Sequence, residues 1–204
     1  FGARWIPKRE RAETRIVVAR TSSMLPMMGR LSGISINPKV KFAKNNNEVT
    51  LWGRNETIVN QINQKKENQQ YLPGIALAAS IKATVDIDTA LADSDLVLWV
   101  TPAQSIHSVY ETISHSIDSE TPIILCAKGI DRQSGKLPAE TVEALLPENP
   151  IAALSGPSFA SDVANGLPTA VTLAANHDAL WSELARKLST STFRVYASSD
   201  LKGV

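Results

Sequence analysis

From Glu48 onwards the chain alternates between two hydrophobic periods. Short runs of β-branched and aromatic residues give way to stretches whose apolar residues recur every three or four positions. "EVTLW" (48–52) reads as a strand ending at Gly53. Across 55–70, Ile58, Val59 and Ile62 share one helical face among polar residues. "YLPGI" (71–75), punctuated by Pro73 and Gly74, reads as a turn. A weak strand at 81–84 and a short acid-opened helix at 86–94 follow. "DLVLWV" (95–100) is a nearly all-apolar strand stopped at Pro102, and Ile106, Val109, Ile113 and Ile117 have helical spacing over 103–117. The strand "PIILC" (122–126) precedes a helix at 138–146 with Pro138 in its first turn, where its missing N–H costs nothing. Strand 151–156 ends in Gly156–Pro157. A short helix at 158–166 then has Ser158 as cap and Gly166 as stop. Strand 169–175, helix 178–189 and strand 193–198 complete the pattern.

Strands that alternate with helices and are apolar throughout imply a mostly parallel sheet covered on both faces. In such sheets ligands bind just beyond the carboxyl ends of the strands. The candidate residues are therefore Gly53–Arg54–Asn55, Thr101–Pro102–Ala103, Lys128–Gly129 and Gly156–Pro157–Ser158.

Composition changes this picture in one place. Residues 1–47 hold ten Lys/Arg against Glu10 and Glu13, together with all three methionines, although the whole chain has a net charge of only +1. The rest of the chain is acidic. A basic first quarter fits a nucleic-acid or membrane arm, an organellar transit peptide, or sequence foreign to the fold. The apolar runs fall short of the ~20 residues of a membrane span, and we expect no membrane or nucleic-acid partner. Cys126, the single cysteine, excludes an internal disulfide and fits a reducing compartment. His107, His115 and His177 are scattered, so no metal is expected.

Each candidate has a plain alternative. Arg54, where a second strand would meet an adenosine ribose, favours or tolerates a 2′-phosphate; otherwise it is a solvated loop charge. Lys128 at a strand's carboxyl end can bind a phosphate or polarise a carbonyl oxygen, or it is a loop lysine. "SGPSFA" (155–160) turns from strand to helix and aims Ser158 and the following N–H groups at the crevice, where they could hold an anion or merely cap the helix. Pro102 reads as a loop residue and Cys126 as a small buried apolar one.

In order and spacing, "NEVTLWGRN" (47–55), "YLPGI" (71–75), "VTPAQS" (100–105), "CAKGI" (126–130) and "LSGPSFASDVANGLPTAV" (154–171) resemble the NAD(P)-dependent glycerol-3-phosphate dehydrogenases of the bacterial soluble type. The resemblance covers about residues 42–204. It implies a Rossmann-like, doubly wound α/β domain and NAD or NADP as cofactor. It also implies reduction of dihydroxyacetone phosphate to sn-glycerol 3-phosphate, a glycerophospholipid precursor, in the cytoplasm, with the full-length member a homodimer. Carried over by residue, Arg54, Pro102, Lys128 and Ala160 would contact the cofactor, and Lys128, Gly156 and Ser158 the substrate. The alternative function is a non-catalytic nucleotide- or phosphometabolite-binding module.

Two departures from the family shape the expectations. Its first strand and Gly-x-Gly-x-x-Gly turn are not legible in residues 1–47, where only Gly2, Gly29 and Gly33 occur. We therefore expect that strand to be absent or altered. Residues 1–40 read as a basic segment outside the family pattern (frameshifted, mis-joined or non-homologous), and 41–204 as a partial NAD(P)-binding domain. The family's helical substrate domain, with its proton-donor lysine, would lie past Val204, so this chain alone is expected to turn over little.

Overall fold

The computed structural model describes residues 15–20, 47–158, 160–176 and 178–204. Its centre is an eight-stranded sheet in the order β10-β9-β8-β7-β6-β1-β2-β5. The strands are β1 (Arg15–Arg20), β2 (Glu48–Gly53), β5 (Lys82–Thr84), β6 (Leu96–Trp99), β7 (Ile123–Leu125), β8 (Ile151–Ser155), β9 (Thr169–Ala175) and β10 (Phe193–Ser198). Pairing is parallel from β5 across to β8, antiparallel between β8 and β9, and parallel again between β9 and β10. The carboxyl ends of β5, β2, β1, β6, β7 and β8 therefore share one edge of the sheet. β9 and β10 begin at that same edge.

The alternation of strand side chains explains the two covering layers. Leu96, Leu98 and Ile124 point into one apolar cluster, while Val97, Trp99, Ile123 and Leu125 point into the other. Against the first pack α1 (Glu56–Lys65), through Val59 and Ile62, and α6 (Asp178–Leu188), through Trp181, Leu184 and Leu188. Against the second pack α2 (Ile87–Leu91), α3 (Ile106–Ile113) and α4 (Pro138–Leu145), through residues such as Ile87, Ile106, Val109 and Val142. A strand buried on both faces has no polar side to keep, which is why β6 is apolar at all four positions.

Of the expectation that the first strand is absent or altered, the structure overturns the absence. β1 lies inside the sheet, third from one edge, with Ile16 opposite Val49 on one side and Leu96 on the other. "RIVVAR" is a β-branched run that suits a buried parallel strand. Residues 21–46, where a Gly-rich turn would follow β1, lie outside the described residues.

Two further expectations are revised. "YLPGI" is not a turn: Leu72–Ala76 forms β4, paired antiparallel with β3 (Glu67–Asn68) in a separate two-stranded ribbon. Pro73 is tolerated there because an irregular two-stranded ribbon leaves donors outside the ladder, and Gly74 adopts φ 74°. The helix predicted over 55–70 stops at Lys65. Asn55 caps its start by accepting from the Ile58 N–H, and Lys66 ends it in the left-handed region at φ 53°, with its N–H donating to the Ile62 carbonyl oxygen.

Candidate functional site

The site is the sheet edge at which β1, β2, β6, β7 and β8 end. β1 has β2 on one side and β6 on the other, so the chain's direction of travel across the sheet reverses there. A crevice opens at such a switch point. Arg54 follows β2 directly and is exposed. Pro102 follows β6, and Lys128 follows β7. With neighbouring strands about 4.8 Å apart, Arg54 and Lys128 stand on strand ends roughly 14 Å apart across the crevice.

The turn after β6 is built from buried parts. Trp99, fully buried, donates its indole N–H to the Thr101 hydroxyl at 2.7 Å, and Thr101 is itself buried. The Ser105 N–H then bonds to the Pro102 carbonyl, closing the short 3-10 turn Ala103–Ser105 with Ala103 facing inward. Pro102 is left exposed at the rim. After β7, the Cys126 N–H donates to the Trp99 carbonyl at 3.0 Å, extending the β6–β7 ladder one residue further. Cys126 is buried as expected. Lys128 emerges from this fixed point, and Gly129 turns the chain at φ 105°, a conformation that favours glycine.

The structure brings Lys128 and Gly156 together. Lys128 Nζ donates to the Gly156 carbonyl oxygen at 3.2 Å across the ends of β7 and β8. The exposed ammonium is thus tethered to the next strand end rather than spread into solvent. Gly156 has a steric reason to be glycine. A Cβ there would lie 2.9 Å from the Ala170 carbonyl oxygen and 3.0 Å from both Val171 Cα and Cγ1, so the turn presses directly on β9.

Ser158 is placed by a local bond. Its backbone N–H donates to the Gly156 carbonyl at 2.9 Å and is therefore already engaged. The helix that follows, α5 (Ala160–Ala164), is a single turn opened by Ala160. An anion would meet little of the macrodipole that a longer helix offers. Ser158 is half-buried beside the Lys128–Gly156 contact. Arg54 stands apart from this group, three strands away from β7.

Sequence reasoning missed the loop that carries Lys128. Asp131, 4% exposed, organises it. Its carboxylate accepts from the Ser134 hydroxyl at 2.5 Å and from the N–H groups of Ser134 and Gln133, and His107 Nε2 stands 3.7 Å away. The Ser134 hydroxyl bond, aided by those N–H groups and by His107 and opposed by burial, holds the carboxyl below the usual carboxylate range. An Asp-x-x-Ser spacing after a strand is the signal that could have found this turn. Among the described residues, no group of three or more His, Cys, Asp or Glu converges in the manner of a metal site, and no helix is long and apolar enough to cross a membrane.

Comparison with known proteins decides the family. Residues 39–181 match the family model of the NAD-dependent glycerol-3-phosphate dehydrogenase N-terminus. The chain belongs to this family. A glycerol-3-phosphate dehydrogenase [NAD(P)+] of Chelativorans sp. (strain BNC1) is 49% identical over 154 residues, covering 76% of this chain and 47% of that protein. The Mesorhizobium japonicum enzyme of the same name is 50% identical over 157 residues, covering 77% and 46%. Among solved structures, glycerol-3-phosphate dehydrogenase from Coxiella burnetii superposes with a TM-score of 0.78 at 30% identity, covering 92% of this chain and 54% of that one. The chain thus spans about half the length of the glycerol-3-phosphate dehydrogenases it matches. Its fold is that of the family's NAD-binding, Rossmann-like domain.

Proposed function

We propose that this chain supplies the cofactor-binding and phosphate-contacting part of an NAD(P)H-dependent reductase that converts dihydroxyacetone phosphate to sn-glycerol 3-phosphate. The observation that carries the reading is the tethered ammonium of Lys128, held by the Gly156 carbonyl at the crevice edge. The family membership of residues 39–181 supplies the reaction class.

The residues fit the group they would hold. The sheet edge is open from Arg54 at β2 to Lys128 at β7, which suits a ligand lying across strand ends. When bound, the nicotinamide supplies a hydride for the carbonyl carbon of the substrate. Arg54 would face the adenosine end and its 2′ position, and Pro102 and the start of α5 at Ala160 would border the cofactor. Lys128 would exchange its neutral backbone partner for an anionic ligand oxygen, so that both partners of the bond carry charge. Gly156 and Ser158 would flank the substrate phosphate.

Fluorescence titration of the purified chain with NADPH and NADH, followed by an assay for NADH oxidation with dihydroxyacetone phosphate, tests this. Saturable nucleotide binding that weakens in Lys128→Ala supports the proposal. Absence of saturable nucleotide binding refutes it. Binding with little turnover is the outcome expected of the cofactor-binding part alone, whereas nucleotide binding that dihydroxyacetone phosphate leaves unaltered points instead to a nucleotide-binding module.

A further inference from the structure

Gln104 lies on the exposed 3-10 turn after β6, in no contact with Lys128 that the sequence would suggest. Its side-chain amide bridges to the neighbouring loop at two points. Nε2 donates to the Ile130 carbonyl oxygen at 2.7 Å, and Oε1 accepts from the Arg132 N–H at 3.1 Å. This is the bonding pattern by which a residue on one parallel strand pairs with the residues before and after its opposite number. The side chain thus acts as one more rung of the β6–β7 ladder, placed beyond the ends of both strands.

Its position matters because of what it closes. The segment from Cys126 to Ile130 is fixed at one end by the Cys126–Trp99 bond and at the other by Gln104. Between them stand Lys128 and Gly129, both exposed, with Gly129 at φ 105°. Glycine is the most permissive residue at such a hinge, so an unclamped loop could swing Lys128 away from Gly156. The Asp131 turn holds residues 131–136 to one another, but its bonds from Ser134 and Gln133 are internal to the loop, and the His107 Nε2 that it faces from α3 stands at 3.7 Å, beyond hydrogen-bond distance. Gln104 ties the loop's Ile130–Arg132 stretch to the β6 side of the crevice.

We infer that Gln104 is a positioning residue: its amide clamps the Ile130–Arg132 backbone and thereby holds the Lys128 ammonium at the crevice beside Gly156. The functional weight of this inference rests on Lys128 being a ligand contact, as proposed above.

The test has a ligand-free part and a ligand-bound part. In the first, the full chain is acylated at low reagent dose and modification at each lysine is read by mass spectrometry. Lys65 and Lys82, both exposed, serve as references. Gln104→Ala should raise the relative labelling of Lys128 about two- to fivefold, the range expected for losing weak net hydrogen bonds, with the thermal midpoint nearly unchanged. Gln104→Met keeps the length without the bonds and should behave like alanine. Unchanged Lys128 labelling in the alanine variant, or wild-type labelling in the methionine variant, overturns the inference. In the second part, Gln104→Ala should weaken NADPH binding in the wild-type background and add nothing in Lys128→Ala. An equal loss in both backgrounds marks a general structural effect and also overturns it. If Lys128→Ala binds NADPH as well as wild type, the reading of Lys128 as a ligand contact fails, whatever the labelling shows for Gln104.

Discussion

Gly156→Ala is the substitution for which the structure gives the sharpest expectation. The added Cβ would meet the Ala170 carbonyl oxygen at 2.9 Å and Val171 Cα at 3.0 Å. These are backbone atoms of β9, held in register with Arg194 and Val195 of β10, and neither can rotate out of the way. Relief must come from moving the β8 turn, and overpacking of this kind costs about 1–3 kcal/mol. For a protein of this size each kcal/mol lowers the thermal midpoint by about 2–4 °C, so a fall of roughly 2–12 °C is expected. Gly203→Ala is the control. Its Cβ would meet the Asp200 carboxylate, a closer approach on paper, yet that group ends a flexible exposed side chain and can turn aside. Melting followed by circular dichroism should show the large loss for Gly156→Ala and a small one for Gly203→Ala. If the two fall equally, or Gly203→Ala falls further, the reasoning from backbone rigidity is wrong. Because the same turn presents the carbonyl that receives Lys128, Gly156→Ala should also weaken nucleotide binding.

Three further outcomes are expected. Thr101→Val leaves the buried Trp99 N–H without its acceptor and should cost about 1–3 kcal/mol in urea unfolding; a loss below about 0.5 kcal/mol would contradict that account. Asp131 has its carboxyl held below the ordinary value by Ser134. Its contribution to stability is therefore full above the unfolded value of about 4 and is lost as pH falls through the lower folded value. Urea midpoints of Asp131→Asn should accordingly vary less between pH 5 and pH 3 (roughly the span of carboxylate titration) than those of the wild type, and parallel curves would count against it. Arg54→Ala should weaken NADPH more than NADH if the guanidinium meets a 2′-phosphate; equal losses would place Arg54 elsewhere along the cofactor.

How much of this was legible depended on whether a residue's partners lie near it in sequence. β6 and β7 could be read directly, because a strand buried on both faces announces itself by being apolar throughout. The Lys128 position followed from the same logic. β1 was obscured by its surroundings: Ile16, Val17 and Val18 make a good strand, but the missing glycine pattern and the arginines on either side argued against a family start. The β3–β4 ribbon was hidden behind Pro73 and Gly74, which normally mark turns. The steric role of Gly156 and the clamp by Gln104 were beyond reach. Gly156 is constrained by Ala170 and Val171, and Gln104 by Ile130 and Arg132, and no local period records either pairing.

The place of β1 between β2 and β6 has a consequence for how the sheet is assembled. Its register opposite β6 joins residues about eighty positions apart, a long loop to close before the contact repays its entropy. During synthesis β1 is made before either neighbour. At about 5–20 residues per second it would wait several seconds for β6 to be translated. Until β2 follows, about thirty residues later, both edges of this β-branched segment are unpaired, and until β6 is made one of them still is, open to association with other chains. The Lys/Arg-rich text around it, with Arg15 and Arg20 at its own ends, repels like segments and opposes such pairing.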